Sequence, residues 1–134
     1  MIKTDIIIIG AGPVGLFTVF EAGLMKLRCH LIDTIPQIGG QLSELYPKKP
    51  IYDIPGFPSI LAGKLVENLM EQASPFNPGF TLGERAEKIV KNNDNSFTVI
   101  TDKNTKHKAP VVIISGGLGS FEPRKPKIDN LSFY

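Results

Sequence analysis

The feature that most constrains this chain is a glycine-rich turn that follows an apolar run and opens a helical pattern. The segment Gly10-Ala11-Gly12-Pro13-Val14-Gly15 fits the spacing GxGxxG and directly follows four isoleucines, Ile6–Ile9. An unbroken β-branched run is typical of a strand that is covered on both faces of a parallel sheet. The order strand, glycine turn and helix is the first part of a nucleotide-binding βαβ unit.

The residues after the turn complete this unit. A helix is predicted over residues 13–25, because proline is tolerated in a first turn and the apolar residues recur at helical spacing. The apolar residues that fall near one side of this helix are Val14, Phe17, Phe20 and Leu24. A second apolar run, Cys29–Ile32, ends at Asp33, so that the unit spans residues 4–33 and its crossover is expected to be right-handed.

Each element of this motif has a physical task in binding a dinucleotide. Gly10 permits the tight turn, Gly12 lets a pyrophosphate approach the backbone, and Gly15 lets the helix pack closely on the strand. The helix N-terminus supplies N–H groups and a partial positive charge. Asp33, eighteen residues after Gly15, is placed to accept hydrogen bonds from the ribose hydroxyls of an adenosine.

The motif restricts the nucleotide without choosing one. A carboxylate at Asp33 repels a 2′-phosphate, which disfavours NADP at this first site and leaves NAD or FAD. Proteins that bind S-adenosylmethionine share a glycine-rich first turn, and a ligand-free turn with a surface aspartate is the structural alternative. The sequence pattern alone leaves these possibilities open.

The rest of the chain divides into a loop, a helix, a set of strands and a tail. An ordered cofactor loop is predicted over residues 36–58, and a helix over about 62–73 because leucines recur at i, i+4 and i+8. Three antiparallel strands of a meander, over about residues 80–108, are predicted at Phe80–Val90, Ser96–Thr101 and Lys106–Lys108. A strand over 111–115 is expected to return to the parallel sheet, and the tail 118–134 is expected to be exposed.

Composition excludes several other classes. The length of 134 residues indicates one hydrophobic core, and the net charge of +2 does not favour nucleic acid as a partner. The single cysteine cannot form a disulfide within the chain, which predicts a reducing, cytoplasmic setting. The uncharged stretch Ile6–Phe20 is fifteen residues long, short of the roughly 20 that a membrane helix needs. His30 and His107 belong to no cluster at metal spacing, so that neither a metal site nor a nucleophilic triad is predicted.

Several motifs together resemble one family from about Ile2 to Leu131. The glycine motif, the segment Gly39-Gly40-Gln41-Leu42 and the late strand before Pro123-Arg124 resemble the FAD domain of thioredoxin-reductase-like flavoproteins. Residues 41–47 and 51–58 most resemble the thioredoxin-reductase-type ferredoxin–NADP reductases. The resemblance implies a Rossmann-like, three-layer α/β FAD/NAD(P)-binding domain in which a parallel sheet is joined to an antiparallel β-meander, present here in part.

The same resemblance implies roles for single residues. Asp33 matches the ribose-binding acid, Gln41 and Tyr46 match residues at the flavin end, and Ala86 and Phe121 match residues that line the FAD. A tyrosine in a loop beyond the dinucleotide turn is also suited to stack on a flat cofactor. The expected cofactor-binding residues are Gly10, Gly12, Pro13, Gly15, Asp33, Gly40, Gln41, Tyr46, Ala86 and Phe121, and no residue is assigned a catalytic role.

The implied function is electron transfer between NADPH and ferredoxin through FAD, in a homodimer that binds neither nucleic acid nor membrane. Residues 39–46 contain no cysteine pair, which excludes the glutathione-reductase-like branch. Thioredoxin reductase, another pyridine-nucleotide flavoprotein and a non-catalytic nucleotide-binding module remain as alternatives. The lysines at 48–49, 103–108 and 125–127 are interpreted as solvated faces, with docking of an acidic ferredoxin as the alternative.

The resemblance also predicts that these 134 residues are incomplete as an enzyme. A second glycine motif for NADPH and a later Gly-Asp segment that closes the flavin site have no match in the chain. A hydride donor needs its own pocket beside the flavin, so that the chain alone is expected to be inactive. The edge where missing elements would pack is expected to be apolar.

Overall fold

The structure, a computed structural model, describes residues 1–119. Within this range, the helices are α1 (Pro13–Leu24), α2 (Gln41–Glu44) and α3 (Ala62–Ala73), with a 3₁₀ turn at Ser74–Phe76. The strands are β1 (Ile2–Lys3), β2 (Ile6–Ile9), β3 (Cys29–Asp33), β4 (Pro50–Ile51), β5 (Ile60–Leu61), β6 (Gly79–Leu82), β7 (Ala86–Lys91), β8 (Phe97–Thr101), β9 (Lys106–Ala109) and β10 (Val111–Ile114).

The central sheet has the strand order β10-β2-β3-β6, and all its neighbouring strands are parallel. The isoleucine run forms β2 inside this sheet, where Ile6 pairs with Cys29 on one side and Val111 on the other. Strand β10 therefore returns to the parallel sheet, as its apolar pattern predicts. Burial of each of the three buried isoleucines of β2, Ile6–Ile8, contributes about 1.5–3 kcal/mol relative to an exposed side chain.

The molecule has three layers because β2 and β3 are covered on both faces. Ile8 packs with Leu16 of α1 and Leu65 of α3 in one buried cluster. Ile7 faces the opposite way and packs with Val99 of the second sheet, whose strand order is β1-β9-β8-β7. The helices thus cover one face of the central sheet and the β-meander covers the other.

Helix α1 contacts the core through Leu16 and Val19 and through its small residues. Gly15, Ala22 and Gly23 are buried, whereas the predicted stripe is largely exposed: Val14 is 67% and Phe17 45% exposed. Small side chains let the helix backbone approach its neighbours, and a Cβ at Gly23 would overlap the ring of Phe76. The stripe predicted from the sequence is therefore wrong as the core-facing side of α1, which is marked instead by Leu16 and Val19 together with the small residues.

The strand predicted over Phe80–Val90 is two strands with different partners. Strand β6 pairs in parallel with β3, and only β7 belongs to the antiparallel meander, which spans residues 86–109. The chain turns between them at Gly83, whose φ of +71° favours glycine. Backbone N–H groups of Gly83 and Glu84 donate to the carbonyls of Ile35 and Asp33, which secures the turn against the end of β3.

A polar cluster joins the central sheet to the meander. Thr81 Oγ1 lies 2.8 Å from Nε2 of His30 and 2.8 Å from Nε2 of His107. A hydroxyl can donate to one imidazole and accept from the other, which satisfies the Nε2 atom of each ring inside the protein. Burial lowers the pKa of His30 to about 4, with a further contribution from His107, and burial also lowers the pKa of His107. Both rings are therefore neutral at pH 7.

Candidate functional site

The glycine turn joins the carboxyl end of β2 to α1 through close backbone contacts. Gly10 has a φ of +112°, and a Cβ there would overlap the carbonyl oxygen of Ser115, which follows β10. A Cβ at Gly15 would overlap the carbonyl oxygen of Gly10. These two glycines are required for packing between the strands and the helix.

Gly12 differs from the other two glycines because the space beside it is open. A Cβ built on Gly12 meets no heavy atom within 4 Å among the described residues, and its φ of −77° suits any residue. No side chain caps the first turn of α1, which begins after Gly12. Free N–H groups at a helix N-terminus bind anions, so that the turn offers a cradle for a pyrophosphate.

Asp33 is held in place by the glycine turn itself. Its Oδ2 accepts a hydrogen bond from the N–H of Ala11 at 2.7 Å, and its Oδ1 accepts one from the N–H of Ile35 at 2.9 Å. A carboxylate has about four lone-pair sites, and these two bonds leave others for ligand hydroxyls. The half-buried carboxylate at the end of β3 is therefore oriented before a ligand arrives.

Two cavities, of about 480 and 360 Å³, lie beside this turn. Both cavities are lined by the turn, by the end of β3 and by the end of β10 with the glycines that follow it. The shared residues are Gly10, Asp33, Ile114, Gly116, Gly117 and Gly119. Because these residues belong to both cavities, the two form one groove across the carboxyl ends of the parallel strands. This is where ligands bind in open α/β sheets.

The groove brings together most of the residues that the sequence predicts. The larger cavity is lined by Gly10, Gly12, Pro13, Asp33, Gly40 and Gln41, and the smaller by Ala86. Gly15 lies below the turn and lines neither cavity. Phe121 lies outside the described residues.

Tyr46 lies beside the groove in a third cavity of about 380 Å³. It is 46% exposed. Leu42, Ile51 and Asp53 line both this cavity and the larger one, so that the two are adjacent. The geometry gives Tyr46 access to a flat ligand that extends from the groove.

Residues that the sequence analysis did not assign to the site also line the groove. They are Ser115 and the glycines after β10 in the larger cavity, and Thr34 and Arg85 in the smaller one. The strand order could have indicated these residues, because a strand that returns to the parallel sheet beside β2 must end next to the glycine turn. Arg85 directly precedes β7, and the sequence pattern does not separate β7 from β6, so that the pattern gives no sign of where Arg85 lies.

The described residues give little support for a metal site, a nucleophilic cysteine or a membrane-spanning helix. Residues 1–119 contain no group of three or more His, Cys, Asp or Glu side chains that could hold a metal ion. Cys29 is buried, and burial raises the pKa of its thiol to about 11, which makes it a poor nucleophile. None of the helices described here is long and apolar enough to cross a membrane.

Comparison with known proteins gives the sequence relatives of this chain. No family model matches it. It is 72% identical over 134 residues to ferredoxin–NADP reductase 1 of Christiangramia forsetii and 69% identical to the ferredoxin–NADP reductase of Flavobacterium johnsoniae. The chain is similar over its whole length to ferredoxin–NADP reductases. Each match covers 100% of this chain but only 38% of the relative, so that the chain spans about two fifths of their length.

Solved structures confirm the fold class. Thioredoxin reductase from Streptococcus pyogenes matches 84% of this chain and 34% of its own, with a TM-score of 0.70 and 27% identity. A steroid monooxygenase bound to NADP matches 97% of this chain and 29% of its own, with a TM-score of 0.75 at 18% identity, and shows the fold alone. The resemblance to thioredoxin-reductase-type ferredoxin–NADP reductases and the predicted Rossmann-like α/β fold are both confirmed.

Proposed function

We propose that this chain is the FAD-binding part of a ferredoxin–NADP reductase that moves electrons between NADPH and ferredoxin. The observation that carries the proposal is the groove, in which an oriented carboxylate at Asp33 and an open backbone approach at Gly12 lie side by side. The high identity to ferredoxin–NADP reductases supports this enzyme over thioredoxin reductase.

The residues present fit FAD. The start of α1 beside Gly12 would hold the pyrophosphate, Asp33 would accept the adenosine ribose hydroxyls, and the smaller cavity beside Ala86 would hold the adenine end. Gln41 and Tyr46 would contact the flavin end. When bound, FAD accepts a hydride from NADPH and passes single electrons to an iron–sulfur protein.

The protein contributes orientation and electrostatics to this chemistry. The N–H of Ala11 fixes the Asp33 carboxylate, so that a ribose meets an acceptor that needs no reorganisation. Leu42 and Ile51, between the larger and third cavities, form an apolar wall that would exclude water from the flavin end. Arg85, whose guanidinium forms an ion pair with Glu87, borders the proposed adenosine end of the groove.

The assembly of the whole protein is also a proposal. We propose a cytoplasmic homodimer in which a second copy covers the groove between α1 and α3. This groove has a volume of about 870 Å³ and is lined by exposed Val14, Phe17 and Phe57, and large exposed apolar patches mark interaction sites. Sedimentation of full-length protein tests it: a dimer that Phe17→Ser dissociates supports the proposal, and a monomeric wild type contradicts it.

The activity is tested with purified full-length protein. We expect flavin absorbance bands and NADPH-driven reduction of cytochrome c that requires ferredoxin. Reduction of thioredoxin instead would favour the other enzyme class, and a colourless protein that binds NAD would contradict the proposal. Because this chain covers only 38% of each relative, we expect these 134 residues alone not to oxidise NADPH.

A further inference from the structure

A lysine lies over the ring of Tyr46 at the proposed flavin end of the groove. Lys49 Nζ is 4.9 Å from the centroid of the Tyr46 ring, within the distance at which a cation is attracted to an aromatic face. Both side chains line the third cavity, together with Asp53, which also lines the larger cavity. The cation therefore borders the space proposed for the flavin.

Backbone hydrogen bonds hold this pair against the start of α3. The N–H of Lys49 donates to the carbonyl of Tyr46 at 2.9 Å and closes a turn. The carbonyl of Lys49 accepts from the N–H of Ala62 at 3.0 Å, and that of Pro47 accepts from the N–H of Gly63 at 2.8 Å. No side chain caps α3, so that these carbonyls satisfy helix N–H groups that otherwise lack partners. The turn is thus part of the helix cap.

The neighbouring lysine provides a contrast. Lys49 makes no ion pair with the residues described, and its ammonium group meets the Tyr46 ring instead. Lys48 is also exposed but has neither an ion pair nor a ring contact within residues 1–119. The two lysines therefore carry the same charge, and only one of them is held beside the proposed flavin.

We propose that Lys49, held over Tyr46, raises the reduction potential of the bound flavin. The proposal rests on the proposed FAD-binding function. Two electrons and one proton convert the neutral oxidised ring to an anionic reduced ring, with NADPH oxidised to NADP⁺ in the proposed reaction. A nearby cation stabilises the added negative charge, so that the protein binds reduced FAD more tightly than oxidised FAD. Asp53 acts in the opposite direction.

The test is the midpoint potential of FAD in the full-length protein, measured by spectroscopic equilibration with a reference dye. Lys49→Met is expected to weaken binding of reduced FAD about tenfold relative to oxidised FAD, which corresponds to about 30 mV lower potential for a two-electron couple. The matched control Lys48→Met should leave the potential near that of the wild type. Lys49→Arg should restore it, and Asp53→Asn should raise it.

A second measurement separates the ring contact from long-range charge. In a Tyr46→Leu background, Lys49→Met should produce a smaller shift than in the wild type, whereas Tyr46→Phe should preserve the full shift because the ring remains. Equal shifts from Lys48→Met and Lys49→Met, or an unchanged potential in Lys49→Met with FAD bound, would overturn the proposal. If Lys49→Met does not fold, the midpoint potentials of Lys49→Arg and Lys49→Gln are compared instead. A lower potential in Lys49→Gln than in Lys49→Arg supports the proposal, and equal potentials overturn it. A wild-type protein that binds no FAD contradicts the proposed function instead.

Discussion

Alanine substitutions at two glycines of the same turn should have different effects: one should weaken FAD binding and the other should destabilise the fold. In Gly12→Ala, the added methyl group meets no described atom within 4 Å. The backbone at Gly12 is already in a conformation that alanine adopts. We therefore expect the free energy of unfolding of the FAD-free protein to change by less than about 1 kcal/mol, with a small gain because alanine restricts the unfolded chain.

The same methyl group should damage FAD binding. It occupies the approach by which a pyrophosphate would reach the N–H groups at the start of α1. Loss of one hydrogen bond to a charged group costs about 1.5–3 kcal/mol, which is one to two decades in affinity. Fluorescence titration of the FAD-free protein with FAD measures this loss.

Gly10→Ala should behave in the opposite way. Its Cβ would overlap the Ser115 carbonyl, and a φ of +112° strains any other residue. A strained backbone position alone costs about 1–3 kcal/mol, and the overlap adds to this cost. Urea unfolding of the FAD-free protein should show a loss of about 3 kcal/mol or more. The reasoning is refuted if Gly12→Ala binds FAD with wild-type affinity, or if both variants lose the same stability.

Three further outcomes are expected for the full-length protein. Asp33→Ala should weaken FAD binding by about 1.5–3 kcal/mol and lower the melting temperature, because the N–H of Ala11 loses its acceptor; unchanged flavin content at limiting FAD would exclude the ribose role. Stability should fall as the pH drops from about 6.5 towards 4, because the unfolded chain binds protons that neutral His30 and His107 do not; urea midpoints that are flat over this range would contradict it. Tyr46→Ala should alter the fluorescence of bound flavin more than it alters the unfolding midpoint, and the reverse order would indicate a structural anchor.

The elements set by local patterns could be predicted from the sequence. The isoleucine run, the glycine turn and α3 follow from spacings of a few residues, and the structure places each of them as expected. The buried face of α1 was predicted wrongly, because α1 has apolar residues on more than one side and its buried face combines Leu16 and Val19 with small residues. The single strand predicted over 80–90 was wrong because β6 and β7 are separated by only the three residues 83–85, of which Gly83 was a local sign of a turn.

The parts of the site that were missed depend on contacts between distant segments. Ser115 reaches the turn because β10 pairs with β2, and Arg85 reaches the groove because β6 carries the chain past Asp33. The polar cluster likewise joins His30 to Thr81, 51 residues away, and neither residue alone indicates a partner. Long-range pairing of strands, rather than residue type, decides these neighbours.

The bonds that build the groove are also bonds that hold the central sheet together. The carboxylate of Asp33 at the end of β3 accepts from the N–H of Ala11 after β2, and the N–H of Ser115 after β10 donates to the carbonyl of Ile9 in β2. A ligand that contacts this turn therefore bridges the carboxyl ends of three parallel strands. Binding that is specific to the folded state adds about 2.7 kcal/mol of stability at a hundredfold excess over Kd. FAD should consequently slow hydrogen exchange first at these strand ends and the start of α1, before the meander, because the meander contributes only Ala86 and the preceding Arg85 to the groove.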